Sequence, residues 1–338
     1  MLTRREWLKW AAAGAAGGFS GCAGISTDPC RSGPIQQIAN CYAPKGWALW
    51  HGTVRVQASH PEAYGPALSI TKSLAGLAVT KAVSAGKMSL DEPLHATFPE
   101  WRNDPAKMQI TPRMLLQQTS GLEGGANALY GSVSDKGRVA LALRVVDAPG
   151  TQFRYGPSHW EVLGEFMRRK LGGESVGNYL HRSVMTPIGL SSPEWRTDGR
   201  GAFYLSTGAK MRVEDLGKLG RTLASLLSGN STNGFSAGTF AEVIRPSAAN
   251  PMFGGGLWQN RQAGNGARAI EVEDALDPPR PPGFWAGACL SPRHPANVVL
   301  LVGSSGQRVA IWPSQHRVFA RLGSSRGWQD GPLWNALG

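Results

Sequence analysis

The sequence predicts an α+β protein, an antiparallel sheet flanked by helices and interrupted by an inserted, mostly helical domain. Three observations predict it. Short runs rich in β-branched and aromatic residues stand at both ends, at 47–58 and again at 252–258, 268–272, 284–290 and 298–302, set apart by Gly, Pro and Ser. Between them the apolar residues change to helical spacing, at 139–146, 158–171, 176–185 and 213–227. The third is the stretch 69–86, SITKSLAGLAVTKAVSAG, in which Ile70, Leu74, Leu77, Val79 and Val83, with Ala75, Ala78 and Ala82, leave little polar face. A helix apolar around most of its circumference belongs inside the protein.

Taken in order, residues 1–21 read as an export signal. Thr3-Arg4-Arg5-Glu6-Trp7-Leu8-Lys9 resembles a twin-arginine motif, and Phe19-Ser20-Gly21-Cys22 resembles a lipobox with Cys22 as the lipidated residue, although Phe19 stands where leucine is commoner. Unmodified, Cys22 would lie near an ordinary cleavage site. Residues 22–45 read as a polar, irregular tether. Residues 46–86 and 235–338 form the sheet domain in this reading, and 87–234 the helical domain. Gly86 ends the junction helix as its C′ residue. Thr111 caps and Pro112 opens a helix through Leu115 and Leu116 that breaks at Thr119-Ser120-Gly121. Asp147-Ala148-Pro149-Gly150 closes the 139–146 helix with a turn. Ser158 and Glu161 have capping-box spacing at the head of the next helix, which buries Val162, Leu163, Phe166, Met167 and Leu171. Val318, Phe319 and Leu322 fall on one face of a closing helix over 313–322.

Composition narrows the partners. A chain of 338 residues, 41% hydrophobic and 17% charged, can bury a large core, and beyond the leader no apolar run is long enough to cross a bilayer. The formal charge is +12, of which Arg4, Arg5 and Lys9 against Glu6 contribute +2, leaving +10. In a cell envelope such a surface is drawn to anionic head groups and wall polymers. Nucleic acid is disfavoured, because Lys and Arg are scattered rather than clustered with aromatics. Cys30 and Cys41 are close enough in sequence to close a small loop in an oxidising compartment, and Cys289 reads as a buried free thiol. The 7 histidines show no HxxxH or HExxH spacing, so no metal is expected.

The chemistry starts at Ser69 and Lys72, three apart and therefore on one side of the first helical turn. A cation is disfavoured at the positive end of a helix dipole and costly to bury. A crowded lysine there gives up its proton readily, and a neutral amine beside a hydroxyl is a candidate base for a serine nucleophile. Alone, the same pattern describes an N-cap serine followed by a surface lysine.

Three further segments bear on that choice. They are LLQQTSGL at 115–122, Tyr155 after Pro149-Gly150, and Trp285-Ala286-Gly287 on a late strand. Singly, Tyr155 reads as an aromatic at a domain junction and 285–288 as a buried strand with a glycine bulge. In this order, with Ser69-x-x-Lys72, they resemble the serine β-lactamase and penicillin-binding-protein superfamily, in the branch that holds class C β-lactamases, family VIII-type esterases and 6-aminohexanoate-dimer hydrolases. The resemblance implies a β-lactamase/transpeptidase-like fold and a covalent acyl-enzyme on Ser69, with Lys72 and Tyr155 sharing the proton traffic. It implies an oxyanion hole from the backbone N–H groups of Ser69 and Ala288, with Trp285 and Gly287 against the substrate. A second alignment takes Val302-Gly303-Ser304 as the late motif. It ranks lower, because too little strand-forming sequence follows it.

Two departures shape the expected substrate. Tyr155-Gly156-Pro157 stands where many relatives have Tyr-x-Asn, so an amide is missing, and Trp285 stands where lactamases and peptidases have a lysine. The expectation is therefore an exported, periplasmic, lipid-anchored serine hydrolase acting on a small ester or amide, with no cofactor. The alternatives are a catalytically silent wall-binding lipoprotein on the same fold, or a β-lactamase/DD-peptidase. Substrate choice would rest on the loops at 122–135 and 275–282.

Overall fold

A computed structural model describes residues 28–191, 194–276 and 280–338, so the export signal and Cys22 lie outside the described residues. The strands are β1 (Pro44–His51), β2 (Val54–Ser59), β3 (Tyr64–Pro66), β4 (Lys210–Arg212), β5 (Phe253–Gly254), β6 (Leu257–Gln259), β7 (Arg268–Ala269), β8 (Ala288–Cys289), β9 (Val299–Gly303), β10 (Gln307–Trp312) and β11 (Arg317–Gly323). The α-helices are α1 (Ile35–Ala39), α2 (Thr71–Ser84), α3 (Pro112–Leu116), α4 (Ala126–Leu129), α5 (Lys136–Ala142), α6 (Ser158–Lys170), α7 (Val176–Leu180), α8 (Thr186–Ile188), α9 (Val213–Leu227), α10 (Ala237–Val243), α11 (Val272–Ala275) and α12 (Asp330–Leu337). Seven strands make one antiparallel sheet in the order β2-β1-β11-β10-β9-β6-β5. The α+β class and the antiparallel sheet flanked by helices are as the sequence predicts.

Chain order explains that sheet. The N-terminal hairpin β1-β2 joins the C-terminal hairpin β10-β11 through the β1-β11 pair, so the two ends of the chain close on each other around everything between. β9, β10 and most of β11 are buried throughout. Strands covered on both faces read as continuous apolar runs without alternation, which is how 313–322 reads as a closing helix. Instead, a turn at Pro313–Gln315 with His316 in the left-handed region reverses the chain into β11. The ambiguity is settled by lateral hydrogen bonds to β1 and β10, which no local pattern reveals.

Two other expectations change. Residues 28–45 are not an irregular tether: Ile35, Ile38 and Ala39 of α1 are buried, Cys30 is disulfide-bonded to Cys41, and β1 begins at Pro44. Within the range expected to be a separate helical domain, α9 lies on the sheet. A Cβ on Gly217 would fall 2.4 Å from the Trp50 ring, and one on Gly220 would fall 2.5 Å from Val318. Those two residues leave the helix smooth enough for the sheet to approach. Elsewhere the local signals hold. Thr111 accepts from the Met114 N–H with Pro112 at the first helical position, and Gly86 takes a left-handed φ just past α2. Cys289 is a buried free thiol.

The junction helix α2 is buried along nearly its whole length, from Thr71 to Thr80 and again at Ala82. It enters from a single 3-10 turn, Leu68–Ile70, whose first residue has φ of 50°. That is the left-handed region, which a leucine occupies only when its surroundings force it, at a cost of roughly 1–3 kcal/mol. The backbone is thus held out of its local preference one residue before Ser69.

Candidate active site

Three elements converge on the start of α2. Ala67 N–H donates to the Ala209 carbonyl at 2.8 Å, and Ala209 N–H donates to Thr71 Oγ1 at 3.1 Å, so segment 206–209 is laced to the turn that carries Ser69. On the other side β9 approaches so closely that a Cβ on Gly303 would lie 2.5 Å from the Ala67 carbonyl oxygen. Only glycine permits that contact. The third element is the extended chain at 153–157 leading into α6.

Lys72 is 1% exposed and Ser69 8%. The amine donates to Ser69 Oγ at 2.9 Å and to the Ser206 carbonyl at 2.8 Å, and it lies 5.0 Å from the centre of the Tyr155 ring. The surface-lysine reading of Ser69-x-x-Lys72 is thereby removed. Ser69 and Tyr155 line one cleft of about 260 Å³, together with Tyr130, Leu276, Val302 and Ser304. Tyr130 and Leu276 come from the two loops expected to shape substrate choice.

Tyr155 is fixed from both sides along its own backbone. Gln118, at φ of 54°, accepts the Arg154 N–H on its carbonyl at 3.0 Å and the Gly156 N–H on its Oε1 at 2.8 Å. His159 Nε2 donates to the Arg154 carbonyl at 2.8 Å, which leaves Nδ1 to accept from Ser120 Oγ at 3.0 Å. The segment LLQQTSGL therefore works as the cradle of Tyr155. Gly156 packs against Gly124, where a Cβ would lie 2.2 Å from the carbonyl oxygen. Phe253 and Trp258 flank the Tyr155 ring at 6.1 and 6.2 Å.

The late motif is placed differently from the expectation. Residues Trp285–Gly287 form one 3-10 turn, closed by Ala286 and Gly287 N–H bonds to Gly283, and Ala288 sits on β8, which pairs only with β7 outside the main sheet. None of the three residues Trp285, Gly287 and Ala288 lines the Ser69 cleft. Trp285 instead packs edge-on against Phe153 at 5.2 Å and tilted against Trp258 at 5.5 Å. The strand beside the serine is β9, whose last residues Val302 and Gly303 are followed by Ser304, and two full strands come after it. The reason for ranking the second alignment lower, too little strand-forming sequence after it, therefore does not hold.

Sequence reading missed Ser206, Glu161 and Lys136 as parts of this site. Glu161 is not the reciprocal member of a capping box, since Ser158 is the first residue of α6 rather than its cap. Its carboxylate accepts from Ser206 Oγ at 2.6 Å and Ser206 N–H at 3.0 Å, and pairs with Lys136 at 2.8 Å. Both side chains of that ion pair are buried, at 4% and 0% exposure. A signal existed: a glutamate one residue before Val162-Leu163, on the buried stripe of α6, needs a counter-charge. A second cavity, of about 970 Å³, opens beyond Lys136 between α5, α6 and residues 198–203, and shares no lining residue with the Ser69 cleft. Among the described residues no group of His, Cys, Asp and Glu could hold a metal ion.

A model of the beta-lactamase family matches residues 53–330, and the chain belongs to that family. In sequence it is 30% identical over 151 residues to the acyltransferase calJ of Penicillium decumbens, spanning 37% of this chain and 36% of that one. The chain thus covers only about a third of that curated relative's length. Among solved structures, EstCE1, a hydrolase with promiscuous acyltransferase activity, superposes with a TM-score of 0.61 at 16% identity over 85% of this chain and 91% of its own. A D-stereospecific amidohydrolase from Streptomyces gives 0.60 at 15% identity over 88% and 95%. These likenesses show the fold, a β-lactamase/transpeptidase-like one.

Two consequences are measurable. Glu161→Ala strands the Lys136 charge in the interior, so denaturant unfolding should show a loss of about 3–5 kcal/mol, recovered in part when Lys136→Met is added. Burial, helped by the nearby Lys72 and Arg154 charges, pushes the His159 imidazole down from 6.5 to about 4. The unfolded chain takes up that proton near 6.5 and the folded one only near 4, so this stability is present above pH 6.5 and lost as pH falls through that interval. The difference in thermal midpoint between wild type and His159→Gln should shrink between pH 6.5 and 4; a constant difference would contradict a neutral buried imidazole.

Proposed function

We propose that the protein is an exported serine hydrolase that cleaves a small ester or amide through an acyl-enzyme on Ser69. It belongs by this reading to the branch of class C β-lactamases, family VIII-type esterases and 6-aminohexanoate-dimer hydrolases. The observation that carries the proposal is the 2.9 Å hydrogen bond between the buried Lys72 amine and Ser69 Oγ, in a cleft that also holds Tyr155. Burying an amine at the head of a helix is costly, and its contact with Ser69 Oγ gives that burial a chemical use.

The proposed steps start from that contact. Ser69 Oγ attacks the substrate carbonyl carbon as its proton passes to the Tyr155 phenolate, which the positive charge of Lys72 favours. The oxygen of the tetrahedral intermediate is held by the Ser69 and Ser304 backbone N–H groups, donors worth roughly 3 kcal/mol each when correctly aimed. Tyr155 returns the proton to the leaving alkoxide or amine. Water, activated by the same group, then attacks the acyl carbon and frees Ser69. Transfer of the acyl group to an alcohol differs only in the second nucleophile, which accords with the acyltransferase names borne by calJ and EstCE1.

Substrate class follows from what the motifs lack. The β9 residues before Gly303 are Leu301 and Val302, so this strand offers no cation to a β-lactam or peptide carboxylate, and the arginine that lines the cleft, Arg326, comes from outside the motif and beside Glu273 and Asp274. Tyr155-Gly156-Pro157 supplies no amide either. Esters and simple amides need neither. The same missing amide is what favours the second reading, a silent wall-binding protein.

p-Nitrophenyl butyrate separates the two. Wild type should hydrolyse it, Ser69→Ala should lose turnover and fluorophosphonate labelling, and Lys72→Ala and Tyr155→Phe should lose at least about a hundredfold in kcat while staying folded. Absence of turnover, together with co-sedimentation on peptidoglycan, would favour the binder; nitrocefin turnover would favour a β-lactamase. Anchoring through Cys22 is checked separately. Cys22→Ala should move the protein from the membrane fraction to the soluble envelope fraction, and unchanged fractionation would count against lipidation.

A further inference from the structure

The turn that follows β9 is gripped from beneath by buried side chains. Arg308 on β10 is 0% exposed and donates to the Gly303 carbonyl at 2.9 Å, to its neighbour's carbonyl at Gln307 at 3.0 Å, to Asp330 Oδ1 at 2.7 Å and to Glu273 Oε2 at 3.1 Å. Glu273 uses its other oxygen to accept the Ser305 N–H at 2.9 Å. Gln307 Nε2 donates to the Ser304 carbonyl at 3.1 Å. Opposite Arg308 in the β10-β11 register stands Arg321, also 0% exposed, which donates to the Gly306 carbonyl at 2.7 Å. Burial, with the adjacent Arg308 charge, pushes Arg321 down to about 9.

Two buried arginines side by side are expensive, and a packed apolar pair in their place would commonly be as stable or more so. What they do that apolar residues cannot is hold carbonyls. The Gly303 carbonyl and the Ser304 N–H belong to one planar trans peptide, in which the two bonds point in opposite directions. A guanidinium that draws the carbonyl into the core therefore turns the N–H away from it, towards the cleft that Ser304 shares with Ser69. It also polarises the amide, which strengthens the N–H as a donor. The next peptide, Ser304 carbonyl to Ser305 N–H, is clamped at both ends by Gln307 and Glu273. Ser304 thus has little rotational freedom on either side.

We propose that Arg308 is a positioning residue that, through the Gly303 carbonyl and with Glu273 as its partner, aims and polarises the Ser304 N–H as an oxyanion donor. The proposal rests on the acyl-enzyme reading above and extends it to a residue that touches no substrate. Its signature is a selective loss of transition-state binding.

The test compares full-length wild type with Arg308→Lys and Arg308→Gln on p-nitrophenyl butyrate, with phenylboronate as a tetrahedral analogue and hydrogen exchange read over 299–307. Expected are a fall in kcat of about 10–100-fold, less than the loss of a whole donor, KM within about twofold, a matching rise in the boronate inhibition constant, and faster exchange confined to 303–306. Arg308→Lys should retain more activity than Arg308→Gln. Unchanged kcat in a folded variant, or a loss confined to KM, would overturn the assignment. Should both arginine variants fail to fold, Glu273→Gln, at a partly exposed side chain, is expected to give the same kcat-selective loss, and unchanged kcat there overturns the proposal. If wild type itself shows no Ser69-dependent turnover, the acyl-enzyme reading falls on that result. The exchange data then decide the positioning claim, since unaltered exchange at 303–306 in the folded Arg308→Lys protein refutes it.

Discussion

The structure depends on keeping one amine out of water. Lys72 is closed in by the Ser206 carbonyl, the Ser69 hydroxyl and the Tyr155 ring, and each of those is itself held by something farther away. Ser206 hangs on Glu161, Glu161 is balanced by Lys136, and Tyr155 is braced by Gln118 and His159 through the residues on either side of it. An unpartnered ammonium in this position would cost several kcal/mol, so the whole constellation has to form together or not at all. That cooperativity makes the arrangement rigid.

The sheet contributes from the opposite side. β9 reaches the turn that carries Ser69 because Gly303 has no side chain to keep it off Ala67, and the turn after it is fixed by Arg308, Glu273 and Gln307. The N-terminal residues take part too. Arg321, next to Arg308, also donates to the carbonyls of Ala39, Cys41 and Tyr42, so the disulfide-closed segment 30–41 is pinned to the same buried layer. Chain ends that look peripheral in sequence are structurally adjacent to the cleft.

The departures from the family pattern fall in two places with different physical weight. At the second motif Pro157 stands in place of an amide, and the Gly156 N–H donates to Gln118 Oε1 while Gly156 permits the close approach to Gly124. The second departure leaves Leu301 and Val302, and no cation, before Gly303 on β9.

The sequence by itself determined the class of fold and the buried helix with Ser69 and Lys72 at its head. These were legible because they are local: the apolar circumference of 70–83, the three-residue spacing of Ser69 and Lys72, the Thr111-Pro112 start and the Gly86 stop are all written within a few residues of one another. The tertiary structure alone decided that 317–323 is a strand, that Trp285 packs on Phe153 and is not part of the Ser69 cleft lining, and that Ser304 is part of it. It also decided that Glu161 faces Lys136 and Ser206. Each of these turns on a partner far away along the chain: a lateral hydrogen bond to β1, a ring from another strand, a counter-charge on another helix. Burial on both faces erases the alternation that would have marked a strand, and the worth of a buried charge is set by where its opposite lands.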